Sequence, residues 1–244
     1  MARPASVPGR GQRARPKSAA AYSGTPADTL PATAQTPPPP ETRQFIIDKV
    51  LERGADLGIA WDGDADRCFF IDDTGAFVDG DFLTAILAEH LLAKTPNADI
   101  LYDVRASRAV ADTVRRVGGT PHANRVGHAF FKTRMRDEGA IFGGEVSGHY
   151  YFHDFYNADS GTIPALLILE KLSIEDKTMS ELLAPYHDKY FISGEINTEV
   201  ADQEGKIREI EERYSDARVG HLDGLSVDYD DWHFNVRKSN TEPL

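Results

Sequence analysis

Three aspartates alternate with small residues in the segment Asp62-Gly63-Asp64-Ala65-Asp66-Arg67. The segment follows a short apolar stretch, and its glycine permits a loop in which the three carboxylates converge. Convergent carboxylates repel one another unless a cation lies between them, and Mg²⁺ prefers oxygen ligands. The three aspartates are therefore candidate metal ligands, and Arg67 is a candidate for binding a phosphate that the ion polarises. An acidic turn on a solvated surface is the alternative, but the position between two apolar strands favours the metal.

A glycine-rich segment, Gly143–His149, is the second candidate site. Glycines let a loop bring polar side chains close to a ligand. Glu145, Ser147 and His149 are able to hydrogen-bond adjacent hydroxyls of a sugar. Without further context, a simple turn at the end of a strand explains the pattern equally well.

Three more polar segments contain residues that suit an anionic ligand. Asp103–Arg108 lies at the end of a predicted strand, where open α/β sheets bind their ligands. Asn235–Pro243 combines an arginine with hydroxyl, amide and backbone donors, which suits a phosphate. His128 begins a predicted helix, and taken alone it is more typical of a capping or core histidine.

The segment Gly58–Arg67 closely resembles the magnesium loop of the α-D-phosphohexomutases, a family that includes phosphomannomutase, phosphoglucomutase and phosphoglucosamine mutase. The resemblance implies Asp62, Asp64 and Asp66 as Mg²⁺ ligands and Arg67 as a residue at the transferring phosphate. Gly143–His149 looks like the sugar-recognition loop of the family. The run that follows it, Tyr150-Tyr151-Phe152, resembles the mannose-phosphate branch most.

The resemblance also implies roles for the other segments. His128 becomes a candidate for proton transfer or substrate binding. Arg105 stands where some relatives have a lysine suspected as a general acid, and because arginine stays charged it would rather stabilise charge. Asn235–Pro243 looks like the C-terminal phosphate-binding loop. The phosphate contacts implied there are Arg237, Ser239, Asn240 and Thr241.

The family moves a phosphoryl group between the 1- and 6-positions of a hexose through an enzyme phosphoserine in a Ser-His-Asn-Pro loop. No such loop occurs in the 244 residues, and the resemblance covers about residues 41–244. We therefore expect a C-terminal portion of a phosphomannomutase-type phosphotransferase, impaired in the isolated chain. A phosphoglucomutase or phosphoglucosamine mutase is the alternative. A non-catalytic fragment that binds Mg²⁺ and a hexose phosphate, and a magnesium phosphatase with an aspartate nucleophile, are alternatives of other classes.

The elements that position these segments alternate between strand and helix from Asp79 onward. This order predicts a mixed, mostly parallel sheet with helices on both faces. Strand-like stretches at 189–200 and 217–236 surround a charged helix, which predicts a small, incomplete α+β domain at the C-terminus. The expected division is a disordered tail at 1–40, the end of family domain II at 41–78, domain III at 79–187 and a truncated domain IV at 188–244.

Composition limits the remaining possibilities. Residues 1–40 contain nine of the fourteen prolines and few large apolar residues, which favours disorder. A net charge of −12 argues against nucleic-acid binding. The sequence shows no apolar run of the roughly 20 residues that span a membrane, no secretory signal and a single cysteine, Cys68, so we expect a cytoplasmic protein.

Overall fold

The computed structural model describes residues 18–20 and 40–238. Its helices are α1 (Pro40–Arg53), α2 (Gly80–Lys94), α3 (Arg108–Arg116), α4 (His128–Glu138), α5 (Thr162–Glu175), α6 (Met179–His187) and α7 (Gln203–Arg213). Its strands are β1 (Ser18–Ala20), β2 (Leu57–Trp61), β3 (Cys68–Asp72), β4 (Asp99–Asp103), β5 (Thr120–Asn124), β6 (Phe142–Gly144), β7 (Tyr150–Phe152), β8 (Ala158–Asp159), β9 (Arg218–Gly220), β10 (Leu225–Asp228) and β11 (His233–Val236).

The central sheet has five strands in the order β5-β4-β6-β7-β8. Strand β4 pairs in parallel with β5 and β6, and β7 pairs antiparallel with β6 and β8. The parallel half follows from crossover connections through helices, whereas β6 and β7 are joined by a five-residue loop that only an antiparallel pair allows. The predicted mixed α/β sheet is confirmed, with the antiparallel half larger than expected.

Both faces of this sheet are covered, as the sequence predicted. Successive side chains of a strand point to opposite faces, so Ile100 and Leu101 of β4 enter different cores. The larger core contains apolar side chains of α2, α3, α5 and α6. On the opposite face, Phe131 and Met135 of α4 pack with Leu101 and Tyr151.

A second sheet has the order β1-β2-β3, with β1 parallel to β2 and β2 antiparallel to β3. Helix α1 packs on one face of it through Ile46 and Val50. Gly58 of β2 allows this approach, because a Cβ there would lie 2.6 Å from Val50 Cγ2. Strand β1 lies inside the segment predicted to be disordered, and it pairs with the free edge of β2. The rest of residues 1–39 lies outside the described residues.

The structure corrects the prediction of a strand at 189–200. This stretch has no regular secondary structure, and its apolar side chains Phe191 and Ile196 are 96% and 79% exposed. A strand needs a neighbour to pair its backbone groups, and no described strand lies beside this segment. The C-terminal sheet is instead formed by β9, β10 and β11 in the order β11-β10-β9, with α7 against it.

Two polar residues connect the starts of α2 and α3. Asp79 occupies the N-cap position of α2 and makes no side-chain capping bond. Asp81 is buried, and its Oδ2 accepts a hydrogen bond from Ser107 N at 3.0 Å. Asp81 therefore joins the starts of α2 and α3. Ser107 caps α3, since its hydroxyl accepts from Ala109 N.

None of the helices in the described part of the chain combines the length and the apolar composition needed to cross a membrane.

Candidate functional site

The three aspartates of the acidic segment converge in a hairpin loop. Strands β2 and β3 pair antiparallel up to Trp61 opposite Cys68, so residues 62–67 form the connection. Ala65 closes the turn in the left-handed region, at φ 60°, and its N–H donates to Asp62 O at 3.2 Å. One carboxylate oxygen from each of Asp62, Asp64 and Asp66 lies within 4.8 Å of the others. The loop thus presents three oxygen donors to one point.

Arg67 fixes the first of these carboxylates. Its Nε lies 2.6 Å from Asp62 Oδ2, and its backbone N–H donates to Asp62 Oδ1 at 3.2 Å. The Asp62 side chain is only 6% exposed. A charged donor at this distance fixes the orientation of the carboxylate. Each oxygen keeps a further lone pair that is able to coordinate a cation.

The surroundings of Asp66 raise the pKa of this acid. Burial, and then the charges of Asp62 and Asp64, raise the pKa of Asp66 to about 6. Like charges this close are relieved by a proton or by a cation. A cluster of hard oxygen donors, with one member exposed at Asp64, fits Mg²⁺, which keeps several waters or phosphate oxygens.

Gly161, which lies shortly after β8, contacts the acidic loop and the end of β2. Gly161 N donates to Ala65 O at 3.2 Å, and Trp61 Nε1 donates to Gly161 O at 2.9 Å. A Cβ on Gly161 would lie 2.7 Å from Ala65 O and 2.8 Å from Arg67 O. Only a glycine permits this contact, and the contact sets the height of the acidic loop above the sheet.

The glycine-rich loop 145–149 connects β6 to β7 and lies against the acidic loop. His149 forms an isolated antiparallel bridge with Arg67, and its Nε2 lies 3.6 Å from Asp66 Oδ2. Ser147 Oγ lies 3.1 Å from His149 Nδ1. Burial lowers the pKa of His149, so the ring is neutral at pH 7. The structure therefore brings together two segments that are separated by about eighty residues.

Glu145 of the same loop is 2% exposed. Its Oε1 accepts from Tyr151 OH at 2.5 Å, and its Oε2 accepts from Gly127 N at 3.0 Å. Burial raises the pKa of this carboxyl. Its oxygens already have partners, so in this structure Glu145 positions the loop before α4. A contact between Glu145 and a sugar stays a prediction.

Asp103 links the Arg105 segment to the glycine-rich loop. Its carboxylate is completely buried. It accepts bonds from Arg105 N at 2.8 Å, Nε at 3.2 Å and Nη2 at 2.9 Å, and from Val146 N at 2.8 Å. Arg105 also lies 3.6 Å from Glu195, so its guanidinium is held by two acids. Asp103 is a positioning group that sequence reasoning did not single out.

At the start of α4, His128 is exposed and Lys132 forms an ion pair. His128 is exposed at the first position of the helix, after Gly127 with φ 121°. One turn later, Lys132 Nζ lies 2.7 Å from Asp159 Oδ1. Ser160 Oγ accepts from Thr162 N and Ile163 N at 3.2 Å each, so it satisfies two N–H groups at the start of α5, whose N-cap residue is Gly161.

The C-terminal segment is only partly described. Arg237 directly follows β11 and is partly exposed, whereas Ser239, Asn240 and Thr241 lie outside the described residues.

Arg108 has a structural role: its guanidinium lies 2.5 Å from Asp228 Oδ1 and donates to the Trp232 carbonyl at 3.1 Å. It therefore ties α3 to the small C-terminal sheet.

Comparison with known proteins agrees with this arrangement. Residues 79–190 match the family model for phosphoglucomutase/phosphomannomutase, alpha/beta/alpha domain III, and residues 22–75 match the model for domain II of the same family. A phosphomannomutase of Escherichia coli K12 is 44% identical over 222 residues. The chain belongs to the α-D-phosphohexomutase family. The acidic loop lies in the domain II match, and the glycine-rich loop lies in the domain III match.

Two further relatives support the same family. A protein of Xanthomonas campestris pv. campestris named phosphohexose mutases is 44% identical to this chain over 207 residues. The matched residues cover 84% of this chain and 46% of the relative. A solved phosphoglucomutase/phosphomannomutase family protein from Burkholderia thailandensis has a TM-score of 0.72 and 31% identity over 84% of this chain and 44% of its own. The match to the E. coli phosphomannomutase covers 90% of this chain and 49% of the relative. The chain thus spans about half the length of the curated relatives it matches.

Within this phosphohexomutase chain, four supporting residues escaped the sequence analysis: Asp103, Tyr151, Asp159 and Gly161. Asp103 is the first residue of the recognised segment Asp103–Arg108, and Asp159 and Gly161 lie just before α5. Their shared signal is a polar or small residue at a strand end next to a recognised loop. Tyr151 was noted only as part of the run Tyr150–Phe152, and its bond to Glu145 was missed because a tyrosine within an apolar strand is typical of core packing.

Proposed function

We propose that this chain supplies the magnesium and sugar-phosphate part of a phosphohexomutase active site, for interconversion of mannose 1-phosphate and mannose 6-phosphate. The observation that carries the proposal is the contact between the acidic loop and the glycine-rich loop, through the Arg67–His149 bridge and the 3.6 Å approach of His149 to Asp66. One loop offers oxygen donors for a cation, and the other offers hydroxyl and imidazole groups for a sugar.

Magnesium is the proposed cofactor, with Asp62, Asp64 and Asp66 as its ligands. When bound, the ion would neutralise and polarise the phosphoryl group that is transferred. Arg67 lies next to the ligands and is oriented by Asp62, so it provides a fixed positive charge for phosphate oxygens. Arg105, held by Asp103, is proposed to stabilise charge in the same way, and His128 is proposed to bind substrate or transfer a proton.

The sugar is proposed to bind through Ser147, His149 and Glu145, and the distal phosphate through Arg237, Ser239, Asn240 and Thr241. The preference for mannose rests on the names of the relatives and on the Tyr150–Phe152 run. These three aromatic residues are 1%, 0% and 5% exposed, so they would influence the sugar by packing beneath the glycine-rich loop rather than by touching the sugar. Glucose phosphate remains the alternative substrate.

The phosphoserine of the family reaction must come from outside these 244 residues, which contain no Ser-His-Asn-Pro sequence. Asp62 is a poor substitute nucleophile because both of its oxygens accept bonds from Arg67. This argues against an aspartate-based phosphatase. We propose the domain division 41–78, 79–187 and 188–244 for the parts corresponding to family domains II, III and IV. The domain II match already begins at residue 22.

Incubation of the purified chain with mannose 1-phosphate, Mg²⁺ and a hexose bisphosphate activator, followed by ³¹P NMR, tests this proposal. We expect binding of mannose 1-phosphate without conversion to mannose 6-phosphate and without release of free phosphate. Conversion by the chain alone would show that the nucleophile lies within it. Release of phosphate would favour the phosphatase and overturn the mutase proposal.

The contact at Gly161 gives a further prediction. Replacing Gly161 with alanine places a methyl group within 3 Å of two carbonyls of the acidic loop, and overpacking of this kind costs about 1–3 kcal/mol. We expect the loop to shift and Mg²⁺ affinity, measured by calorimetry, to fall by about tenfold or more. Gly220→Ala is the control away from the site, because a Cβ on this β9 residue would meet only Ser226 Cβ, at 3.8 Å. Equal Mg²⁺ affinity in both variants would contradict the support role of Gly161.

A further inference from the structure

Asp159, beside the acidic loop, has a buried carboxylate oxygen that takes no part in the proposed reaction. Asp159 follows β7 on the short strand β8, and its side chain is 9% exposed. Its Oδ1 pairs with Lys132 Nζ at 2.7 Å, whereas its Oδ2 is buried and has no hydrogen-bond partner among the described residues. A buried carboxylate oxygen without a partner is destabilising. A bound cation or donor at this point would remove that cost.

The atoms around Asp159 are spaced as ligands of a shared cation rather than as hydrogen-bond partners of one another. One ligand atom from each of Asp66, His149 and Asp159 lies within 4.8 Å of the others. His149 Nε2 and Asp66 Oδ2 are 3.6 Å apart, which is too long for a hydrogen bond. Two ligands at about 2.1 Å from a tetrahedral ion lie about 3.4 Å apart, so the observed spacing fits a shared ion.

The imidazole is oriented for this role by its neighbours. Ser147 Oγ lies 3.1 Å from Nδ1, and the backbone of His149 is paired with Arg67. A partner on one ring nitrogen directs the other nitrogen toward a metal, as is usual for metal-binding histidines. Here the free Nε2 faces Asp66.

The local charge also favours a cation. Three further carboxylates, those of Asp62, Asp64 and Asp159, are close enough to Asp66 to act on it electrostatically. Two positive side chains lie among them, and each is already bound to one acid: Arg67 to Asp62 and Lys132 to Asp159 Oδ1. The remaining carboxylate oxygens carry a surplus of negative charge.

We propose that Asp66, His149 and Asp159 form a second divalent-cation site, with Asp66 shared between it and the proposed magnesium site. One imidazole nitrogen and two carboxylates suit Mn²⁺ or Zn²⁺ better than Mg²⁺, which prefers oxygen ligands alone. Two ions that share a carboxylate resemble the paired metals of many phosphoryl-transfer sites. The proposal rests on the proposed function through Asp66 and shares His149 with the proposed sugar site.

Titration of the purified chain with Mn²⁺ alone, with free Mn²⁺ counted by electron paramagnetic resonance, tests this site. We expect the unsubstituted chain to bind about two Mn²⁺ ions. His149→Gln and Asp159→Asn should each lose one ion, and Asp64→Asn should lose the other ion while keeping this one. Circular dichroism of each variant verifies folding. Asp154→Asn is the matched control, because Asp154 also lies beside a histidine, His153, at 3.1 Å but is fully exposed.

The two sites give different outcomes. One bound Mn²⁺ that is lost in Asp64→Asn and kept in both His149→Gln and Asp159→Asn would overturn the second site and leave the magnesium site standing. An ion lost in His149→Gln and Asp159→Asn but unaffected by Asp64→Asn would support the second site and contradict the first. Loss of an ion in Asp154→Asn would show surface binding and overturn the assignment.

Discussion

Replacing Asp64 with asparagine is expected to lower Mg²⁺ affinity by about 100-fold or more, since even groups that only orient metal ligands account for about 10- to 100-fold. Asp64 is the exposed member of the three acids, so its loss removes a ligand without opening the core. Removing its charge also relieves the repulsion that raises the pKa of Asp66. The metal-free variant should therefore be as stable as the unsubstituted chain.

Thermal unfolding with and without Mg²⁺ measures this effect. A ligand at 100 times its dissociation constant stabilises a folded chain by about 2.7 kcal/mol, so the unsubstituted chain should melt at a higher temperature in Mg²⁺. The Asp64→Asn variant should lose this shift, and Asp154→Asn, at a fully exposed acid, should retain it. An unchanged Mg²⁺ shift in Asp64→Asn would show that the acidic loop is not the metal site.

Replacing Asp103 with alanine is expected to destabilise the fold by about 3–5 kcal/mol, because it removes the main partner of a largely buried guanidinium and leaves only Glu195, at 3.6 Å. The carboxylate is fully buried and accepts four hydrogen bonds, three from Arg105 and one from Val146 N. Its loss would weaken the anchoring of Arg105, whose side chain is only 16% exposed, and loosen the glycine-rich loop at Val146.

Urea unfolding compares this variant with a control on the same strand. Asp99 lies at the opposite end of β4, is 41% exposed and pairs with His122 at 2.9 Å. Exposed pairs contribute about 0–1 kcal/mol, so Asp99→Ala should have a small effect. Equal losses for Asp99→Ala and Asp103→Ala would show that Asp103 does not organise the two loops.

The sequence was sufficient for features with strong local signals. The alternation of apolar strands and helices gave the mixed α/β sheet, and α4 runs from His128 to Glu138 as its periodicity predicted. The acidic loop was recognisable because three carboxylates in six residues are costly without a ligand.

Features that depend on distant partners were not predictable. The segment 189–200 has a strand-like pattern, but no described strand pairs with it. The partners of Glu145 are Tyr151 and Gly127, and only the packing of α4 on the sheet brings the latter close. The contact between Gly161 and the acidic loop joins residues about a hundred positions apart, which one sequence cannot reveal.

The most direct test of the account is a calorimetric titration of the chain with mannose 1-phosphate, in Mg²⁺ and again after chelation with EDTA. We expect saturable binding in Mg²⁺ that weakens at least tenfold when the ion is removed, because the ion and Arg67 neutralise the phosphate together. Binding that is equally strong in EDTA, or no binding in either buffer, would contradict a joint magnesium and sugar-phosphate site at the Asp62–Arg67 loop.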